Sequence, residues 1–238
     1  MPITRKKGPL YLQIKNIIKD RILHGEYPLG SLIPSEPQLE KEFQVSKMTI
    51  RNAIGELAQE GYVEKRSGVG TTVIRNTSFS KLSKGKRFTE ILVEEGHIIQ
   101  KKLLGSGIVV NEAGTLLHRL FGERCFRVER LYMLNGQPYI HYEHYLPSAI
   151  APNAEAEGFE IRSLYDFLEE NQIDLENFHD RFSVGAASAD TGRLLGVAEG
   201  TPLLRRIRRS RDAEGRVVEY SIGHYNTELQ DYIVNYDA

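Results

Sequence analysis

Residues 33–74 read IPSEPQLEKEFQVSKMTIRNAIGELAQEGYVEKRSGVGTTVI, and their spacing decides the architecture of the N-terminal part of the chain. Ser35 precedes Glu36, Pro37 and Gln38. A serine side chain caps exposed amides, proline fits a first helical turn, and a glutamine three residues on completes a capping box. The short helix that follows buries Leu39 and Phe43 and turns at Gln44-Val45. Ser46 is placed to cap a second helix, whose apolar residues Ile50, Ala53, Ile54, Leu57 and Ala58 fall on one face of a 3.6-residue repeat. The other face opens with Ser46, Lys47, Thr49, Arg51 and Asn52, short donors and cations gathered in the first two turns. Two short helices about a tight turn, the second polar and basic at its start, predict a helix-turn-helix.

The next residues add a wing. Gly61 ends the helix, Tyr62 to Lys65 reads as a strand, and Thr71 to Ile74 returns antiparallel after the turn Arg66-Ser67-Gly68-Val69-Gly70. Gly68 and Gly70 let the backbone approach a phosphate or a minor groove closely, and Arg66 supplies charge. A small helical bundle with a solvated basic face would explain the helices but not the hairpin.

Charge divides the chain in the same way. Residues 1–86 hold 15 Lys and Arg against 8 Asp and Glu, and residues 87–238 hold 16 against 24, which together leave a formal net charge of −1. A basic module joined to an acidic one fits a nucleic-acid binder attached to something that is not one. With 238 residues, 40% of them hydrophobic, the chain can bury two modest cores. Its single cysteine, Cys125, excludes a disulfide within the chain and reads as a buried small hydrophobe. No apolar run approaches membrane-spanning length and no charged leader opens the chain, so a soluble cytoplasmic protein with no membrane partner is expected.

Arg5, Lys6 and Lys7 form a basic arm, and Leu10, Ile14, Ile17 and Ile18 place an apolar stripe on a scaffold helix ending near His24-Gly25. Residues 76–86, NTSFSKLSKGK, lack periodicity and read as a linker between a domain over 1–75 and a second over 87–238. The second alternates short helices and strands. A helix carries Phe88, Ile91 and Leu92, a strand spans Lys101 to Val110, and Asn111 is placed to cap a helix with Leu116, Leu117 and Leu120. Arg127 to Leu134 and Pro138 to Tyr145 form a hairpin about Asn135-Gly136. Ser163 precedes a helix with Leu164, Phe167 and Leu168, and Phe182 to Ala187 is a strand. After a helix over Asp190 to Leu195, a second hairpin pairs Leu203–Arg211 with Val217–Tyr225. Gly114-Thr-Leu-Leu recurs as Gly192-Arg-Leu-Leu, and the hairpin glycines recur as Gly136 and Gly215. Two such units sharing one antiparallel sheet predict an α+β domain with a cleft where they meet, which is the default ligand site.

These stretches resemble a known family. IPSEPQLEKEF and VSKMTIRNAIGELAQEGYVEKRSGVGTTV look like the winged helix-turn-helix of GntR-family bacterial transcription regulators. RFTEIL, LFGERCFRVERLYMLNGQPYIHYEHYLP, RSLYDFL, LLGVAEGTPLLRRIRR and GRVVEYSIGHY resemble the effector-binding UTRA domain of the HutC subfamily, whose fold is similar to chorismate lyase. The resemblance implies a DNA-binding regulator that responds to a small metabolite, often a phosphosugar. DNA contacts are expected from the residue types at Ser46, Lys47, Thr49, Arg51, Asn52, Arg66, Gly68 and Gly70, and no cofactor or metal is expected. Pro37 stands where the family usually has a base-reading arginine, so the operator sequence does not carry over.

For the effector, the resemblance implies anion contacts at Thr89, Arg130, Ser163 and Tyr165, and polar contacts to the rest of the ligand at Glu219 and Tyr225. The residue types agree: a helix start at Ser163 offers free amides to an anion, and a guanidinium on a strand, Arg130, has little reason for burial except to meet one. Phe88, Tyr132 and Tyr142 complete the candidate set. Tyr132 replaces a second arginine and Tyr142 replaces a hydroxyl-binding glutamate of phosphosugar-binding members, so a more aromatic, less cationic pocket is expected. His141 and His144 fall on opposite strand faces and do not read as metal ligands. The arginines of 205–211 read as a solvated sheet edge. The expected protein is a homodimeric repressor released from double-stranded operator DNA by a small anionic metabolite, and not an enzyme. The alternative is a chorismate-lyase-like enzyme with a DNA-binding appendage, although no acid-base pair stands out for it.

Overall fold

The computed structural model describes residues 8–76, 88–151, 164, 167, 168, 171, 173 and 175–234. It divides into two compact units, Met1–Ile99 with Ile233–Ala238, and Gln100–Tyr232. Each is taken by itself.

In the first unit, α1 spans Leu10–Leu23, α2 Glu36–Phe43 and α3 Lys47–Gln59, followed by the hairpin β1 (Val63–Arg66) and β2 (Gly70–Val73). The caps are local. Gln38 Oε1 accepts from the Ser35 amide at 2.8 Å and from its hydroxyl at 2.7 Å, and Ser46 Oγ accepts from the Thr49 amide at 3.3 Å. Between α2 and α3 the turn runs through Gln44 at φ 53°, a left-handed conformation that closes α2 without a glycine. The apolar stripes then meet: Ile14, Ile18 and Ile22 of α1 pack with Leu39, Ile50, Ile54 and Leu57, and the hairpin adds Val63 and Val73. The segment before α2 braces the wing, since the Ile33 amide donates to Thr71 O at 2.9 Å and the Val73 amide to Ser31 O at 2.9 Å. A short helix, α4 (Phe88–Glu94), also groups with this unit. After it, the Ile99 amide donates to His24 O at the end of α1 at 2.9 Å.

The second unit is built on an antiparallel six-stranded sheet, with helices α5 (Leu116–Phe121) and α6 (Ala189–Leu195). In chain order its strands are β3 (Ile99–Val110), β4 (Arg124–Leu134), β5 (Gln137–Pro147), β6 (Asn177–Ala186), β7 (Pro202–Arg211) and β8 (Val217–Tyr225). In space they run β3-β4-β5-β8-β7-β6. The repeat in the sequence is therefore a repeat in the sheet: strand, helix, hairpin occurs twice, and the last strands of the two hairpins pair along the middle. Asn135 (φ 49°) and Gly136 (φ 84°) make the tight turn of the first hairpin, as Asn-Gly predicts. Leu195 of α6 packs with Leu131 and Leu203 on one face of the sheet.

One expectation is corrected. Asn111 does not cap α5; Thr115 does, its hydroxyl accepting from the His118 amide at 3.3 Å. Asn111 instead fastens the loop, donating to Gly122 O at 2.7 Å and accepting from the buried Cys125 thiol at 3.1 Å. Among the described residues no helix is long and apolar enough to cross a membrane.

Candidate DNA interface and ligand pocket

Arg51 of α3 and the wing border one open groove, lined also by Glu36, Pro37 and Gln38 of α2. Lys47, Arg51 and Asn52 are exposed, as are Arg66, Gly68 and Gly70, while Thr49 is half-buried against the Ser46 hydroxyl at 2.9 Å. Arg51 and the wing are tied together through Glu36: Arg51 Nε donates to one carboxylate oxygen at 2.9 Å and Lys65 Nζ approaches the other at 3.4 Å. Burial works to raise the Glu36 pKa, but the two cations outweigh it and hold the carboxyl below its ordinary value. Arg66 pairs with Glu64 at 2.8 Å. These pairs sit at the surface, where such contacts are worth only about 0–1 kcal/mol, so a phosphate or base edge can displace them. Lys65, at the end of a strand whose sequence marks no DNA contact there, lines the groove beside Arg51. Gly70 adopts φ 126°, and a Cβ there would meet Leu32 Cδ2 at 3.3 Å, so the close wing needs glycine at that position.

In the second unit, strand register gathers most of the expected effector residues on one sheet face. Arg130 of β4 stands opposite Tyr142 of β5, which stands opposite Gly223 of β8, which stands opposite Arg206 of β7. Alternation places Tyr132, His144, Glu219, Ser221 and Tyr225 on that same face. Arg130, Tyr132, Tyr142, Glu219 and Tyr225 are all buried. This face is aromatic: Tyr142 meets Tyr132 edge-on at 5.2 Å and Tyr225 at 5.7 Å, and stacks on His144 at 5.1 Å. The Tyr142 and Tyr225 hydroxyls are hydrogen-bonded to each other, and burial pushes both phenol pKa values up, so both stay neutral.

Glu219 is fully committed. One oxygen accepts from His144 Nδ1 at 3.1 Å and the other from the Ser210 hydroxyl. Burial opposes its ionisation, yet these donors and the nearby Arg208 hold the carboxyl well below the usual carboxylate range. Burial lowers the His144 pKa and outweighs the opposing pull of Glu219, with Arg130 and Arg206 adding to the lowering, which favours the neutral imidazole with its proton on the Nδ1 that faces the carboxylate.

The solvated edge expected at the β7 arginines is not there: Arg205, Arg206, Arg208 and Arg209 are all half-buried. Strand β7 lies between β8 and β6, so the edge is β6, and Arg206 and Arg208 fall on the same face as Tyr142 and Glu219. Arg208 forms a bidentate pair with Asp180, both contacts at 2.7 Å. Arg206 Nη2 donates to the Tyr142 hydroxyl at 2.7 Å and Nη1 to the Tyr232 hydroxyl at 3.1 Å. His141 and His144 do fall on opposite faces, His141 bonding Glu129 at 2.8 Å, and Glu143 turns away from the pocket to Arg127 at 2.7 Å. No cluster able to hold a metal occurs among the described residues. Phe88 and Thr89 lie on α4 in the first unit, and Ser163 and Tyr165 lie outside the described residues.

Comparison with known proteins agrees with both halves. A family model described as "Bacterial regulatory proteins, gntR family" matches residues 10–73, and one described as "UTRA domain" matches residues 105–230. The chain is 30% identical to the "Probable transcriptional regulator PhnF" of Escherichia coli K12, over 90% of each chain. It is 29% identical to the "Histidine utilization repressor" of Pseudomonas putida, over 85% of this chain and 82% of that one. The crystal structure of PhnF from Mycobacterium smegmatis shares the fold, with a TM-score of 0.56 at 22% identity, over 94% of this chain and 99% of that one.

Proposed function

Since the chain belongs to the GntR family of bacterial regulatory proteins and joins their DNA-binding domain to a UTRA domain, we propose that it represses transcription as a homodimer on operator DNA and leaves the DNA when a small anionic metabolite binds its second unit. The observation that carries the DNA half is the shared groove, which Arg51 of α3 lines together with Lys65 and Arg66 of the wing, while Lys47 is exposed at the start of the same helix. Lys47, Thr49 and Arg51 enter a major groove, and Arg66 with Gly68 and Gly70 follows the backbone beside it. One winged helix reads few base pairs, so two copies on a palindromic site supply the missing affinity. Repression suits a module that needs only to occupy DNA, and a repressor is what the Pseudomonas relative is named.

The effector sits on the buried polar face of the sheet, against Arg130, Tyr132, Tyr142 and Tyr225. The resemblance's further contacts, at Phe88, Thr89, Ser163 and Tyr165, are not needed for this reading, and Glu219 contributes through the histidine it holds. Operator selection from a random DNA pool with the full-length protein, followed by titration with and without candidate anions, tests the proposal. Effector should weaken operator binding by about 1–3 kcal/mol, and DNA should weaken effector binding by the same factor. Operator affinity that no anionic metabolite alters would leave a DNA binder without this regulation.

A further inference from the structure

The sheet face of Tyr142 holds a half-buried cation, Arg206, that Asp180 influences from a distance but with which no carboxylate among the described residues forms an ion pair. Among the described residues Arg206 makes no ion pair: its fork is met by two phenol hydroxyls, and its Nε is buried without a partner. The carboxylates on the same face are taken, Asp180 by Arg208 and Glu219 by His144 and Ser210. The guanidinium also lies over the rings of Tyr142 and Tyr225, at 5.5 and 5.8 Å from their centroids. Neutral phenols and ring faces offset part of the cost of burying a full charge, and an anion offsets far more.

Two more buried polar atoms on the same face lack partners among the described residues. His144 Nδ1 donates to a carboxylate, so Nε2 of the neutral ring is a bare acceptor, and it is buried with no partner. Ser221, the cross-strand neighbour of His144, has an equally unpartnered hydroxyl. A molecule filling this spot must bring negative charge to Arg206 and a donor to His144.

We propose that Arg206 takes the anionic group of the effector, and that a hydroxyl or amine on the same small molecule donates to His144 Nε2. This rests on the effector-pocket reading above and narrows its ligand class. Arg206 supplies from β7 the second cation that Tyr132 fails to supply from β4. Glu219 is a positioning residue that fixes which nitrogen of His144 faces the ligand.

Three probes test this with the full-length protein: inorganic phosphate, n-propyl phosphate and glycerol 3-phosphate. The last two share an anion and a three-carbon chain and differ in hydroxyl groups. Calorimetry should show glycerol 3-phosphate binding the wild type about tenfold or more tightly than n-propyl phosphate, because a buried acceptor left unpaired penalises the bare chain. Arg206→Gln should abolish binding of all three. His144→Met should erase only the advantage of the hydroxylated probe, and His144→Gln, which keeps an acceptor near Nε2, should restore part of it.

Wild-type affinity for phosphates in Arg206→Gln overturns the role of Arg206. Equal binding of the two organic phosphates by the wild type, or an advantage that survives His144→Met, overturns the role of His144. In those cases the pocket reading stands, because the wild type still binds. A wild type blind to all three probes removes the pocket reading and this inference together. Should a variant not fold, nitrogen NMR of the wild type decides: phosphate should shift the Arg206 Nε resonance, and His144 Nε2 should be unprotonated in the free protein and shift with glycerol 3-phosphate. A protonated Nε2 or an unmoved Nε overturns the assignment.

Discussion

Arg206 reaches the Tyr142 hydroxyl at 2.7 Å by passing over Gly223, the residue that stands between them in the sheet. The Tyr142 ring lies on that glycine: a Cβ at position 223 would sit 2.5 Å from Tyr142 Cε1 and 2.9 Å from Cζ. Gly223→Ala should therefore push the ring aside and cost about 1–3 kcal/mol by overpacking. Urea denaturation measures it, and the same substitution in a Tyr142→Ala background should cost clearly less. Equal costs in both backgrounds would mean that the ring is not what the methyl meets.

At the recognition helix, the test is separation of specific from general binding. Arg51→Ala should lose about 1–3 kcal/mol on a selected operator and much less on random duplex, as expected of a side chain that reads a base. Arg66→Ala should weaken both in similar measure and flatten the salt dependence. Mobility-shift titrations at two salt concentrations distinguish them, and an Arg51→Ala protein with undiminished operator affinity would take α3 out of the major groove.

The cap of that helix is a matter of stability alone. Ser46 Oγ accepts from the Thr49 amide, so Ser46→Ala should destabilise the first unit by about 0.5–2 kcal/mol, whereas Ser46→Asp should hold stability. Thermal or chemical unfolding followed by circular dichroism provides the measurement.

Acid should loosen the second unit in two stages. His144 is buried and neutral, its folded pKa below the ordinary imidazole value of 6.5. As pH falls below that value the unfolded chain takes up a proton that the folded chain refuses, so stability is lost. His224, lowered by burial and by His141, acts with the same sign. Glu219, also depressed, adds its share once pH drops below the ordinary value of 4.5. Each group contributes a slope of at most about 1.4 kcal/mol per pH unit. His144→Gln should flatten the loss between pH 6.5 and 5 by one group's share. An unchanged slope would mean that His144 is already charged in the fold.

The winged helix could be read from sequence because its signals act over one or two turns. Ser35, Gln38 and Ser46 bond residues three positions away or fewer, and the stripe from Ile50 to Leu57 declares its buried face directly. Asn135-Gly136 likewise fixes its hairpin without help from elsewhere. Arg206 was illegible for the opposite reason. Its burial depends on β6 covering the flank of β7 and on β8 bringing Gly223 beside it, and alternation along 205–211 names two faces without saying which is buried. Glu219 stands among the residues that the family resemblance suggests, but its commitment to His144 joins positions 75 apart, which no local pattern announces. Thr115 outcompeted Asn111 as a cap because Asn111 had two other partners across its loop.

The pairing of β5 with β8, from Ile140 against Tyr225 to Tyr145 against Tyr220, is the single joint between two similar half-sheets. Tyr142 and His144 come from one half, Arg206 and Ser221 from the other, and they face each other over that joint. A guest held by both sets works as a cross-brace, resisting shear and parting of the halves without touching either hairpin turn. Its signature would be mechanical rather than conformational: backbone amides along the joint should exchange with solvent more slowly when it is occupied, while those of the outer strands β3 and β6 keep their rates. Stiffness, in that case, is what the pocket has to transmit.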